Sequence, residues 1–369
     1  MGEVMSRFPP HIRTPSVRPR PQHHQGRYRL AKIRDVARLA GVSAMTVSRT
    51  LNDPRLVTPA TRARVLSAVR ELGYIPNGVA RSLTQGRTDV IALVVSDIQN
   101  PFFTTVSRGA EDVAQRHGYT LMVGNTDERP EKEREYLEAL VSRRVDGVIL
   151  SSAGADHVRL LQHRKIPVVL VDRVIAGVEV DSVILDAYDG GRQIAAHLLE
   201  QGYREVVFIG GMPGNSTVEA RLAGCRDGLG EAGLELPARL GRLDRSTGEE
   251  LVAGLCEEER MPEAIVAANN LVAVGAMVEM RRRGLRVPED VGLACFGEIE
   301  LASLLDPFLT VIREPAYDAG RRAMELLHER IRGSEARPRH EVLPVELVAR
   351  RSTSRPRKQK INRRGRRGH

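Results

Sequence analysis

Apolar residues recur at helical spacing through Ile33, Val36, Ala37 and Ala40, stop at Gly41-Val42-Ser43, and resume at Ala44, Val47 and Leu51. That period predicts one short helix over 33–40 and a second from 44 to about 51, joined by a turn that Gly41 supplies. Ser43 is placed to cap the second helix, its hydroxyl accepting from a free N–H of the first turn. A third helix follows. Thr58 is its expected N-cap, Pro59 suits the first helical position, Val65, Val69 and Leu72 share a face, and Gly73 ends it.

Beyond Thr88 the pattern changes. Apolar runs at 90–96, 119–125, 146–152, 166–172, 205–211, 263–269, 290–297 and 309–312 alternate with helical stretches. Such runs predict parallel strands covered by helices on both faces, and the stretch is too long for one layer, so two α/β lobes are expected. No short-period internal repeat is present. Residues 1–31, rich in Arg and Pro and without period, are expected to be disordered.

The 369 residues are 41% hydrophobic, enough for several cores, and no apolar run approaches membrane-spanning length. The first thirty residues lack the apolar core of a secretory signal. Three widely spaced cysteines, Cys225, Cys256 and Cys295, suit buried thiols in a reducing cytosol better than disulfides or a zinc site. Charge is unevenly spread. Residues 1–31 carry +5, 32–88 carry +7 and 350–369 carry +10, which leaves −13 on the body within the formal total of +9. An acidic body with basic ends suits a polyanion partner held at one end, or two solvated basic tails.

Two short helices around a glycine turn fit a helix-turn-helix, whose second helix enters a major groove with its N-terminal residues at the base edges. Those residues are Ala44, Met45, Thr46 and, one turn on, Ser48 and Arg49. Arg49 is able to pair with guanine or with phosphate. A plain helical hairpin with a solvated face fits the same residues. No P-loop, HExxH, GxSxG or CxxC motif supports the competing reading of a sugar-processing enzyme, so neither catalysis nor a cofactor or metal is expected. An exported binding protein would need a signal peptide and no helix-turn-helix.

"KIRDVARLAGVSAMTVSRTLND" followed by "ELGYIPNGVARSLTQGRT" resembles the headpiece of the lactose/galactose repressor (LacI/GalR) family. The likeness continues through "VVSDIQNPFF", "RVDGVILSS", "IPVVLVDR", "RLAGC", "AANNLVAVGAM" and "LTVIREP", over about 32–350. It implies an all-α helix-turn-helix headpiece on an α/β, two-lobed, periplasmic-binding-protein-like body with parallel, doubly wound sheets. The divisions then expected are a basic extension at 1–31, a headpiece at 32–76 and a hinge at 77–88. The body follows at 89–350, with lobe 1 at about 89–186 and 314–344 and lobe 2 at about 187–313 and 345–350. A basic tail closes the chain at 351–369. The implied protein is a cytoplasmic, nucleoid-associated transcriptional regulator, a homodimeric repressor of palindromic operator DNA, controlled by a small carbohydrate-like effector.

By the same resemblance, Ser43, Ala44, Met45, Thr46, Ser48 and Arg49 face DNA. Small Ala44 and apolar Met45 favour thymine methyl contacts, so most polar discrimination falls to Arg49. Asn77, Ala80, Arg81 and Leu83 lie in a hinge helix too short to be stable alone. It is expected to order on DNA, with Leu83 wedging into the minor groove. Tetramers are not expected, since residues 350–369 lack a leucine heptad.

The implied effector residues are Phe102, Phe103, Asp172, Arg173, Arg221, Asn269 and Gly297. Without the family, Phe102 and Phe103 also suit a core, and Asp172 with Arg173 a structural ion pair. Two departures stand out. The family's "GFD" is here "CFGEIE", with Gly297 in place of Asp, and its "AND" is "ANN", with Asn270 in place of an acid. Arg173 and Arg221 remain, so an acidic effector, such as a sugar acid, is expected over a neutral one, unless Glu298 compensates.

Overall fold

The computed structural model describes residues 31–75, 87–299 and 309–355. The hinge positions Asn77, Ala80, Arg81 and Leu83 lie outside them. The chain divides into two compact units, residues 1–81 and 82–369.

The first unit packs three helices, α1 (Ile33–Ala40), α2 (Ala44–Asn52) and α3 (Pro59–Leu72), around Val36, Ala37, Ala40, Val47, Val65 and Ala68. Gly41 ends α1 in the left-handed region at φ 63°, which an L-residue with a Cβ adopts at a cost. Ser43 caps α2 by accepting from Thr46 N, and Thr58 caps α3 by accepting from Thr61 N. On α3, Val65 and Ala68 are buried and Val69 packs beside them, while Leu72, at the end of the apolar face, is exposed.

The second unit has two lobes. Its strands are β1 (Val90–Val95), β2 (Thr120–Asn125), β3 (Gly147–Leu150), β4 (Val168–Val171), β5 (Asp181–Leu185), β6 (Val206–Ile209), β7 (Ala238–Arg239), β8 (Ala264–Ala267), β9 (Gly292–Phe296), β10 (Thr310–Arg313), β11 (His340–Leu343) and β12 (Glu346–Val348). The lobe 1 sheet runs β11-β5-β4-β3-β1-β2, with Leu93 opposite both Val123 and Ile149. The lobe 2 sheet runs β12-β10-β9-β8-β6-β7. Every pairing is parallel except β10 with β12.

Helices α4 (Pro101–Arg116), α5 (Pro130–Arg143) and α6 (Ala155–His163) cover lobe 1. Helices α7 (Ala187–Glu200), α8 (Ser216–Gly230), α9 (Arg245–Glu257) and α10 (Asn270–Arg282) cover lobe 2, and α11 (Ala316–Ile331) returns to lobe 1 against α4. Buried clusters lie on both faces of each sheet, which is why the strands read as continuous apolar runs. The chain passes between lobes three times, after β5, β10 and β11.

Two expected boundaries shift. Thr88, expected in the hinge, is tied to lobe 1, where its N–H donates to Asp146 Oδ1 at 2.8 Å. Residues 351–355, expected in the basic tail, pack into lobe 2. Ser352 and Thr353 are fully buried, Ser352 Oγ donates to Leu293 O at 2.6 Å, and Arg355 pairs with Glu263.

Candidate functional site

On α2, most short polar groups are engaged locally. Ser43 Oγ accepts from Thr46 N at 3.1 Å and lies 2.9 Å from Thr46 Oγ1, and Ser48 Oγ accepts from Asn52 Nδ2 at 3.3 Å. Thr50 folds back onto Thr46 O at 2.7 Å. Arg49 is exposed, and Met45 keeps 63% of its surface open to solvent. Ala44, Thr46 and Ser48 are half-buried. The outward face of this helix is therefore one long apolar side chain and one guanidinium, set at its start and one turn later.

In the body, the strand order reverses beside β1 and again beside β6, and α/β sheets open a crevice at the carboxyl ends of strands at such points. The two crevices face each other across one cavity of about 460 Å³. Lobe 1 lines it from the ends of β1 (Ser96, Asp97), β2 (Asp127, Glu128) and β4 (Asp172, Arg173), and lobe 2 from the ends of β8 (Asn269), β9 (Gly297) and β10 (Glu314). All seven residues expected around the effector line this one cavity. Arg221 comes from the second turn of α8.

Their surroundings differ. Phe102 is half-buried, while Phe103 belongs to the core and meets it edge-on at 5.0 Å between ring centres. Asn269 caps α10, accepting from Val272 N at 2.9 Å and donating to Leu243 O at 3.0 Å, so both ends of its amide are engaged. Asp172 sits at φ 72°, a left-handed conformation that aspartate tolerates better than most residues. Its carbonyl accepts from Thr217 Oγ1 across the cleft at 2.6 Å.

Two buried arginines face the cavity. Arg173 pairs with Glu128, and its Nε lies 3.7 Å from Asp172 Oδ2, too far for a hydrogen bond. Arg221 donates from Nη1 to Ala268 O at 2.8 Å and from Nη2 to Glu314 Oε1 at 2.6 Å, with its guanidinium 4.9 Å from the Phe296 ring centre. The Nε of each is buried without a hydrogen-bond partner among the described residues. Burial raises the carboxyls of both Asp172 and Glu314 above their ordinary range, against the pull of the neighbouring arginines. Burial likewise raises Asp97, and Asp127, Glu128 and Asp244 add to the effect.

The expectation of an acidic effector assumed a cleft short of carboxylates, and the cavity holds more of them than Gly297 and Asn270 suggest. Asp97, Asp127, Glu128, Asp172, Asp244 and Glu314 line the cavity against Arg173, Arg221 and Arg242, so acids outnumber bases despite Gly297 and Asn270. Glu298 is held away from the Gly297 position by Arg350 through two hydrogen bonds of 2.8 and 2.7 Å, whereas Glu314 lines the cavity beside Gly297. It stands just past the end of β10, within "LTVIREP", and the strand-end position that marks Asp172 and Asn269 could have singled it out. The helix caps Asn100 and Asn215 were also missed, since a cap and a ligand contact look alike in sequence.

Among the described residues no cluster of His, Cys, Asp or Glu suits a metal ion. The letters "GLGEAG" at 228–233 match GxGxxG but close α8, where a dinucleotide loop would open a helix. Cys225 and Cys295 are buried, and burial pushes the Cys225 thiol up to about 12, far from a reactive thiolate.

Residues 88–351 match the model of periplasmic binding proteins and the sugar binding domain of the LacI family, and residues 32–77 match that of bacterial regulatory proteins of the lacI family. The chain is 34% identical over 327 residues to the HTH-type transcriptional repressor PurR of Vibrio atlanticus (strain LGP32), covering 87% of this chain and 98% of that one. It is 35% identical over 324 residues to the ribose operon repressor of Halalkalibacterium halodurans, covering 88% and 97%. Among solved structures it resembles the lac repressor dimer bound to operator and the anti-inducer ONPF (TM-score 0.78, 26% identity, 88% and 99% covered) and the regulator CelR bound to cellobiose (TM-score 0.67, 31% identity, 87% and 99% covered).

Proposed function

Because the chain belongs to the LacI family of bacterial regulatory proteins, we propose that it is a homodimeric repressor whose headpiece reads a palindromic operator and whose cleft answers to a neutral, polyhydroxylated effector. That it is a DNA-binding transcriptional regulator with a small-molecule effector follows from the family. Its relatives are repressors and not enzymes. It acts in the cytoplasm, on the nucleoid; among the described residues no helix is long and apolar enough to cross a membrane.

The reading of the effector rests on one observation. Arg173, Arg221, Asp172 and Glu314 form a buried set with two positive and two acidic groups, and it leaves two Nε donors without a partner among the described residues. A hydroxyl both donates and accepts, so a vicinal diol satisfies such a set without adding charge. An anion would meet two buried carboxylates, and a cation two guanidinium groups. The solved relatives include complexes with cellobiose and with ribose.

On the DNA side, Met45 and Arg49 carry base readout while Ser43, Ala44, Thr46 and Ser48 hold the helix against the groove. Asn77, Ala80, Arg81 and Leu83 serve the hinge, with Leu83 as the wedge. Selection of bound duplexes from a random pool, followed by anisotropy on the selected site with and without cellobiose, D-ribose or D-glucose, tests the whole reading. A palindrome should emerge, and at least one sugar should shift its affinity. Arg49→Ala should cost about 1–3 kcal/mol and relax one base position per half-site. Selection of no consensus would refute the repressor reading.

A further inference from the structure

The cavity wall of lobe 2 carries two carboxylates that neither the headpiece reading nor the expected site residues account for, Asp244 and Glu314, and Glu314 is the more buried. Glu314 is only 6% exposed at its side chain. Its Oε1 accepts from Arg221 Nη2. Its Oε2 accepts no hydrogen bond among the described residues and points at Gly297, where an added Cβ would lie 3.4 Å from it and 3.5 Å from Asn270 Nδ2. Gly297 is in the left-handed region at φ 85°, and its N–H donates to Ile312 O at 3.0 Å, which fixes the two strand ends side by side. A side chain longer than a methyl at 297 must therefore enter the volume that Oε2 faces. Beside it, Arg221 Nε is buried with no acceptor among the described residues.

We propose that Glu314 is the carboxylate that selects the ligand in this chain, Oε2 accepting from one ligand hydroxyl while Arg221 Nε donates to the neighbouring oxygen, and that residue 297 must lack a side chain for this to work. The two positions form one device: an acid from β10 or an acid from the β9 turn, but not both, since two carboxylates in this buried space repel each other. The ligand class follows from the neutral-polyol reading above and rests on it. The exclusion between 297 and 314 does not.

The test is a cycle in the full chain: Glu314→Gln, Gly297→Asp, their combination, and Gly297→Asn as the uncharged control for backbone strain. Two readouts are taken, the melting temperature of the unliganded protein and calorimetric affinity for D-ribose, D-glucose and cellobiose. Gly297→Asp should lower the melting temperature more than Gly297→Asn, and adding Glu314→Gln should remove most of that extra loss. Glu314→Gln alone should weaken the sugar that binds by about tenfold or more, and the combined variant should regain part of it. Equal melting temperatures for Gly297→Asp and Gly297→Asn, or sugar affinity unchanged in Glu314→Gln, would overturn the proposal. If none of the three sugars binds the unaltered protein, the neutral-polyol reading fails, while the melting temperatures still decide whether 297 and 314 exclude each other.

Discussion

In lobe 1 the cleft-facing helix α4 starts after Asn100 and leans on α11 at Gly109, where a Cβ would meet the Tyr317 carbonyl oxygen at 2.0 Å. In lobe 2 the cleft-facing helix α8 starts after Asn215 and leans on α7 at Gly224, where a Cβ would meet the Tyr188 carbonyl oxygen at the same 2.0 Å. Both supporting helices begin Ala-Tyr-Asp, and each tyrosine donates to an aspartate of the cleft-facing helix, Tyr317 to Asp112 and Tyr188 to Asp227. The walls then diverge. Lobe 1 turns toward the cleft through Asp127, Glu128 and Asp172 with positive φ, whereas lobe 2 uses Gly211, Gly214 and Gly297. Lobe 1 thus carries its acids on the turns themselves, and Glu128 keeps 32% of its side chain in solvent. Lobe 2 draws its charge from Arg221 on a helix and Glu314 past a strand, both nearly closed off. One scaffold supports a wet ion pair on one side and a dry one on the other.

The largest expected contrast lies between the two arginines. Arg221→Met strands a buried carboxylate and should cost about 3–5 kcal/mol of stability in urea unfolding. Arg173→Met should cost less, because water reaches Glu128 and Arg221 still offsets the buried Asp172. Equal losses would break the wet-against-dry distinction. Next, Gly109→Ala and Gly224→Ala should each cost about 1–3 kcal/mol, since the helix pairs must part. Similar values would sharpen the likeness of the lobes, and a cost at only one would dissolve it.

A smaller effect concerns one of the links across the cleft. Asn270 Nδ2 donates to Asn100 Oδ1 at 3.3 Å, so Asn270→Ala should open the unliganded lobes slightly, seen as a larger radius in X-ray scattering, at about 0.5–1.5 kcal/mol. The smallest is a pH slope. Asp172 and Glu314 have raised carboxyls, so the stability they contribute is full below their ordinary values of 3.8 and 4.5 and declines as pH rises through the folded values. Asp244 behaves oppositely. Burial raises it, but hydrogen bonds from Thr247 and Ser246 and the Arg242 guanidinium outweigh that and hold it at about 2. Its contribution is present above 3.8 and lost as pH falls toward 2. Glu314→Gln should therefore flatten the decline above pH 4.5, and Asp244→Asn the decline below pH 3.8.

Much of this fold was legible because its signals are local. Thr58, Pro59 and Gly73 mark a helix within sixteen residues, and strands β1 to β4, β6 and β8 to β10 announce themselves as apolar runs. What escaped notice depended on distant partners. Strand β5 opens with Asp181 and Ser182, both buried, and reads as polar. Arg330 satisfies Asp181 at 2.6 and 2.9 Å, and His340 lies 2.8 Å from Ser182, neither visible from the strand's own letters. The edge strands β7, β11 and β12 are short and partly exposed, so no apolar run marks them. The site divides the same way. Strand ends and motifs located Asp172, Arg173 and Arg221, but the charge of the cleft turned on Glu314, whose meaning depends on the empty Cβ position of Gly297 on the neighbouring strand.

Calorimetry on the full chain tests the central claim most directly, with D-ribose, D-glucose and cellobiose each set against its own aldonic acid near neutral pH. A cleft in which buried carboxylates flank the two arginines predicts that at least one neutral sugar binds, that its acid binds about tenfold or more weakly, and that Arg221→Met abolishes the heat. An acid that binds more tightly than its neutral partner would contradict the account.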